Sequence, residues 1–183
     1  LYNFSKNKIW YHGTLSLFKH SFNTIKIPTK SRPLDFGSGF YLTENKQQAI
    51  RWAKRITRQY NKVRKINKPQ AFPMLITFTI DFKNINDFKT NDFGNRMSSS
   101  LLNFLIDNRL ANSANNDFDL VYGLVADGVH LLDTLRAYQL KIISLDMAKK
   151  TIVYKYAQTQ LCIRNSKFTK EYVSILGKDI LTL

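Results

Sequence analysis

Residues 35–43, DFGSGFYLT, run directly into residues 44–53, ENKQQAIRWA. Gly37 and Gly39 give the backbone freedom to turn just before Phe40, Tyr41 and Leu42. Thr43 then predicts a helix N-cap, and Ala49, Trp52, Ala53, Ile56, Tyr60 and Val63 follow near one helical face. The stretch therefore reads as turn, short strand and helix, with Tyr41 on the strand beside the helix start. A tyrosine there offers a rigid aromatic face for a planar heterocycle. Trp52 follows in the third turn of the helix, where its ring either closes the other side of such a slot or packs as ordinary core.

Upstream, residues 10–18 read WYHGTLSLF. His12 stands at what reads as the end of a first strand, where a neutral imidazole donates a hydrogen bond to a sugar hydroxyl; Gly13 lets the backbone approach a flat ligand. Taken alone, the tetrapeptide also fits a histidine that merely ends a strand. Downstream, Pro69 and Pro73 bracket a break, and residues 74–82 alternate as a strand. Ser98–Leu110 predicts a helix with Leu101, Leu102, Leu105 and Ile106 on one stripe, and ANSANND predicts a loop. FDLVYGLVA predicts a buried strand, and LLDTLRAYQL and SLDMAKKTIVYKY predict helices. The final section predicts a strand through Ile163, a turn at Asn165, and a closing helix with Phe168, Tyr172 and Leu176 inward. Strands and helices alternate without a βαβ rhythm, so the expected class is α+β, in a single domain over residues 1–183.

The 183 residues carry 28 Lys/Arg against 13 Asp/Glu, a net charge of +15, which points to an anionic partner. Eight of the basic residues fall between Arg51 and Lys68, a stretch without an acid. Nucleic acid is the first partner this suggests and an acidic protein the second; a solvated helix face accounts for many of the lysines. One cysteine, Cys162, excludes an internal disulfide and fits a reducing compartment, and the three histidines lack metal-ligand spacing, so no metal is expected. No apolar run reaches the roughly 18 residues of a membrane span. The chain is expected to be soluble and not membrane-bound, in a bacterial or host cytosol or secreted within a longer protein. It begins at Leu1, so a longer precursor stays open.

YHGT at 11–14 and GFYLTENKQQAIRW at 39–52 together resemble the nicotinamide-binding half of the diphtheria-toxin type of ADP-ribosyltransferase. That class, with the poly-ADP-ribose polymerases, is marked by a His, a Tyr and usually a Glu on successive core strands. DFGSGFYLT, DLVYGLVADG and QLCI extend the likeness, from about Trp10 to Leu176, to an uncharacterised bacterial domain-of-unknown-function branch of the same superfamily. The resemblance implies a split β-sheet core, two apposed sheets with flanking helices, and NAD as substrate in the cleft between them. It implies that His12 bonds the adenosine-side ribose, that the Gly13 backbone holds the nicotinamide carboxamide, and that Thr14 supports that turn. Tyr41 would stack on the nicotinamide with Trp52 as the second ring, and Arg32 would reach the pyrophosphate.

At the position of the catalytic glutamate this chain has Gln160. Cleavage of the nicotinamide–ribose bond passes through an oxocarbenium-like transition state, which a carboxylate stabilises and a neutral amide only orients. The implied activity is mono-ADP-ribosyl transfer by a bacterial toxin or effector domain, with His12, Tyr41 and Gln160 as the catalytic set. Asp127 is the spare carboxylate, or else a turn former at a strand end, and Glu171 reads as surface. The acceptor is a protein or nucleic acid, and an acidic antitoxin or immunity protein is an expected partner. NAD glycohydrolysis, and a degenerate module that only binds nucleotide or nucleic acid, stand as alternatives.

Overall fold

In the computed structural model, residues 4–28, 34–110, 117–152 and 158–183 are described. They form an α+β fold of seven strands in two sheets and five α-helices. In chain order these are β1 (Ile9–Leu15), β2 (Phe40–Leu42), α1 (Lys46–Val63), β3 (Pro73–Ile80), β4 (Thr90–Asp92), α2 (Ser99–Arg109), β5 (Leu120–Leu124), α3 (Leu131–Gln139), α4 (Leu145–Ile152), β6 (Thr159–Ile163), α5 (Ser166–Tyr172) and β7 (Val173–Ile180). The chain divides into two compact units, each assembled from separated segments. Most of the expected ANSANND loop, and residues 153–156 at the end of the expected fourth helix, lie outside the described residues.

The first unit draws on Ile27–Tyr41 and Asn84–Asn165. Its sheet has the strand order β2-β6-β5-β4, with β4 parallel to β5 and β5 antiparallel to β6. Val121, Leu124 and Cys162 from the sheet pack with Phe36, with Leu101, Leu102 and Leu105 of α2, with Leu135 of α3, and with Ala148 and Ile152 of α4. The expected leucine stripe of α2 is thus its buried face, and Ser98 caps the helix by accepting from the Leu101 N–H at 3.1 Å.

The second unit combines Ser5–Lys26, Leu42–Lys83 and Ser166–Leu183. Its sheet is antiparallel in the order β1-β3-β7. The central strand, β3, is buried at every position except Thr77 and Thr79, which are half-buried. Burying Leu75, Ile76, Phe78 and Ile80 contributes about 1.5–3 kcal/mol each. Pro73 opens the strand, where its missing N–H matters least, and its carbonyl still accepts from the Leu181 N–H at 2.8 Å. Trp10 is fully buried and donates through Nε1 to the Asn7 carbonyl at 2.9 Å.

Three local expectations are corrected. His12 lies in the middle of β1, opposite Ile76, rather than at a strand end. Asn45, not Thr43, caps α1 by accepting from the Gln48 N–H at 3.1 Å. Thr43 is taken up by an antiparallel bridge to Tyr11, and its hydroxyl instead accepts from the Asn45 N–H at 3.1 Å. The closing helix stops at Tyr172, and Val173–Ile180 pairs with β3. Pairing covers the second edge of β3, which outweighs the helical periodicity read from Phe168 to Leu176. Leu176 is the extra residue of a β-bulge, between partners Ile175 and Gly177, and is exposed.

Candidate functional site

The 35–43 stretch forms the turn and strand that its glycines predict. Gly37 has φ +78°, a conformation that side chains oppose. Gly39 lies against β6 so closely that a Cβ there would sit 2.3 Å from the Cys162 sulfur and 2.9 Å from the Ile163 carbonyl oxygen. Tyr41 closes the loop: its hydroxyl donates to the Gly37 carbonyl at 2.6 Å and accepts from the Phe36 N–H at 3.1 Å. Its ring stacks on buried Phe36 with centroids 6.4 Å apart. Burial, assisted by Cys162 and Asp35, holds the Tyr41 proton well above the usual tyrosine range. The hydroxyl is therefore a neutral clamp on the loop, and the half-buried ring carries what Tyr41 has to offer a ligand. Burial likewise pushes the Cys162 thiol up to about 12, which leaves it unreactive.

Asp35, at the start of the same stretch, is the residue that sequence reasoning missed. Its carboxylate is buried and accepts three hydrogen bonds: from Arg109 Nε at 2.6 Å, from the Ala126 N–H at 3.0 Å, and from Gln160 Nε2 at 2.6 Å. Burial raises its pKa, while Arg109, the Ala126 N–H and Gln160 pull it down. An ionised carboxylate only accepts, so it takes the NH2 edge of the Gln160 amide and turns Oε1 away from itself. Gln160 lies on β6 beside β2 and opposite Gly123 of β5. At Gly123 a Cβ would meet the Phe36 ring and the Phe93 Cβ at 3.2 Å, so the glycine makes room for the ring that supports Tyr41. Tyr41, Asp35 and Gln160 thus form one connected cluster in the first unit.

His12, Gly13, Thr14 and Trp52 belong to the second unit. Tyr11 directs its N–H and C=O to Thr43, at 2.8 and 3.0 Å, rather than to β3. By the two-residue period of an antiparallel strand, Gly13 presents its own N–H and C=O on that same edge of β1. A side chain at Gly13 is excluded by α1, because a Cβ would lie 2.1 Å from the Ala49 carbonyl oxygen. Thr14 is buried and His12 is half-buried, with its ring 5.3 Å from that of Phe22.

Trp52 is not core: it is 50% exposed, with the Arg55 guanidinium 5.7 Å from its ring centroid. The inner face of α1 is instead Ala49, Ala53 and Thr57, because the approach that Gly13 permits leaves room only for small side chains. Val63, also expected inward, is exposed. Asp127 accepts from the Gly128 N–H at 2.7 Å, beside the φ of +134° at Gly128, which is the turn-forming role. Glu171 is exposed, and Arg32 lies outside the described residues. A cleft of about 550 Å³ in the first unit, lined by Ile106, Asp107, Tyr138, Lys141 and Ser144 among others, contains none of the motif residues. Among the described residues no helix is long and apolar enough to cross a membrane.

A family model described as "Protein of unknown function (DUF3990)" matches residues 9–173. No curated protein and no solved structure matches the chain.

Proposed function

The chain belongs to the DUF3990 family, and from that premise we propose that it is an NAD-dependent mono-ADP-ribosyltransferase with a split-sheet core, a bacterial toxin or effector domain that modifies a macromolecule. What carries the proposal is the edge of β1 that Tyr11 uses for Thr43, on which the strand period places the N–H and C=O of Gly13, next to His12. An adjacent donor and acceptor on an extended backbone match a primary carboxamide such as that of nicotinamide.

The remaining residues take roles their surroundings support. Tyr41 offers its ring to nicotinamide, because its hydroxyl already holds Gly37 and Phe36. Gln160 accepts a ribose hydroxyl through Oε1, since Asp35 holds its NH2 group. Arg109 balances the Asp35 carboxylate, so the sugar meets an oriented dipole rather than a full negative charge. The sugar's developing positive charge is then stabilised less than a carboxylate would stabilise it, and slow turnover is expected.

Nicotinamide release from NAD by the wild type and by His12→Ala, with and without added protein, DNA and RNA, tests the proposal. Acceptor-dependent release that His12→Ala abolishes is the expected result. Release without any acceptor would replace transfer by NAD glycohydrolysis, and no release together with no NAD binding would overturn the assignment.

A further inference from the structure

We propose that the outer face of α1, with the turn that follows it, is a binding surface for single-stranded nucleic acid. The charge is divided unequally between the two units. The second contains 17 Lys/Arg and 4 Asp/Glu, a net of +13, whereas the first contains 11 and 9, a net of +2. Within the second unit no acidic residue occurs from Lys46 to Ile80.

The structure arranges this charge in a row. Arg51, Arg55, Arg58 and Lys62 recur at alternate steps of four and three residues and are all exposed. At about 100° per residue they fall within an arc of roughly 60°, opposite the buried Ala49, Ala53 and Thr57, and extend over about 16 Å of helix. The row continues past the helix on a braced segment. Arg64 Nη1 donates to the Lys68 carbonyl at 2.9 Å, and the Asn61 amide grips both the N–H and the carbonyl of Ala71 at 2.9 Å. Lys65 and Lys68 project from this segment and are exposed.

Beside the row stands Trp52, half exposed and in contact with Arg55. Arginines spaced along one line suit successive phosphates, which they bind in bidentate fashion, and an exposed indole suits the face of a base. A base is free to stack on a side chain only where it is not held in a duplex, which selects a single strand. An acidic protein would meet the same charge, but the aromatic face gives it nothing specific to recognise.

The test uses fluorescein-labelled oligo-dT and oligo-U of about 12 nucleotides, titrated without NAD across roughly 50–200 mM NaCl. The expected result is binding that weakens steeply with salt. Changing Arg51, Arg55, Arg58 and Lys62 together to Gln should reduce affinity by at least ~10-fold and flatten the log–log salt slope by up to about 3. Because Trp10 is fully buried, acrylamide quenching reports on Trp52, and the bound oligonucleotide should shield it. Unchanged affinity in the quadruple Gln variant, whose helicity is checked by circular dichroism, would overturn the proposal. So would equal binding of duplex, or displacement by polyglutamate with Trp52 unshielded, which would indicate an acidic protein instead. Neither binding nor test involves NAD, so the proposal stands or falls independently of the enzymatic one.

Discussion

At the residue scale, the Asp35–Gln160 hydrogen bond makes an unusual prediction about placing a carboxylate at position 160. Gln160→Glu would set a second carboxylate against Asp35 at the distance now held by an amide donor, 2.6 Å. Two such groups cannot both ionise, so the single variant should be less stable by about 1–3 kcal/mol and, under the proposed activity, no faster in nicotinamide release. The exchange Asp35→Asn with Gln160→Glu re-forms that bond with its polarity reversed and leaves the new charge on β6, but it takes the acceptor from the Ala126 N–H, which shares Asp35 Oδ2 with Gln160. It should recover in urea titrations only part of the stability that the single variant loses and, under the proposed activity, raise turnover at least ~10-fold over wild type. A single variant as fast as the exchange would show that Asp35 does not govern the site. Asp35 also makes a prediction about pH. Burial raises its folded-state pKa above 3.8, so between 3.8 and that raised value the folded chain binds the proton more tightly than the unfolded chain. This contribution to stability is present at low pH and is lost as pH rises through the folded pKa. Asp35→Asn should flatten that decline, read from urea midpoints across the acid range, even though removing the partner of Arg109 lowers stability throughout. Nothing in DFGSGFYLT indicates that its aspartate meets a glutamine 125 positions later. The glycines and Tyr41 were legible there because turn and stacking chemistry are local, whereas the role of Asp35 is created by the tertiary fold.

Elements were legible where one periodicity was uncontested. The leucine stripe of α2 and the apolar run of β5 both lie where the sequence puts them, because the stripe is the buried face of α2 and β5 is buried at every position. α1 shows where that fails: its inner face is set by β1 rather than by its own hydrophobicity, since Gly13 brings the backbones together and admits Ala49, Ala53 and Thr57 while Trp52 is turned outward. Gly13→Ala should therefore displace the helix and destabilise the fold by about 3 kcal/mol, detectable as a lowered thermal midpoint before any ligand is added. Thr57 gives the opposite expectation. Its side chain is fully buried and its hydroxyl has no hydrogen-bond partner among the described residues, so Thr57→Val should stabilise by about 1 kcal/mol in chemical denaturation. A destabilised Val variant would mean that the hydroxyl has a partner in solution. The end of the chain was misread for a related reason. Phe168 and Tyr172 set a helical rhythm, but Val173 and Ile175 are β-branched, and the edge of β3 gives them a partner that the linear sequence does not display.

For the whole molecule, net charge was legible in the sequence and its distribution was not. The run from Arg51 to Lys68 is visible as written, but the second unit gathers it with Ser5–Lys26 and Ser166–Leu183, segments that are unremarkable until they are brought together. A net +13 within one compact unit opposes folding through self-repulsion, which dissolved salt screens over a Debye length of roughly 10 Å at 0.1 M. The thermal midpoint should therefore rise by several degrees between about 20 and 200 mM NaCl, where a fold held by ion pairs would weaken. The quadruple Gln variant of Arg51, Arg55, Arg58 and Lys62 removes four of those charges from exposed positions. It should melt higher than wild type at low salt and respond less to added salt, both measured by scanning calorimetry. If both proteins showed the same salt response, the repulsion would lie elsewhere in the unit and the row on α1 would have no stability cost. If the row does lower stability, its retention in the fold requires a benefit that folding does not supply, and binding an anion along it supplies one.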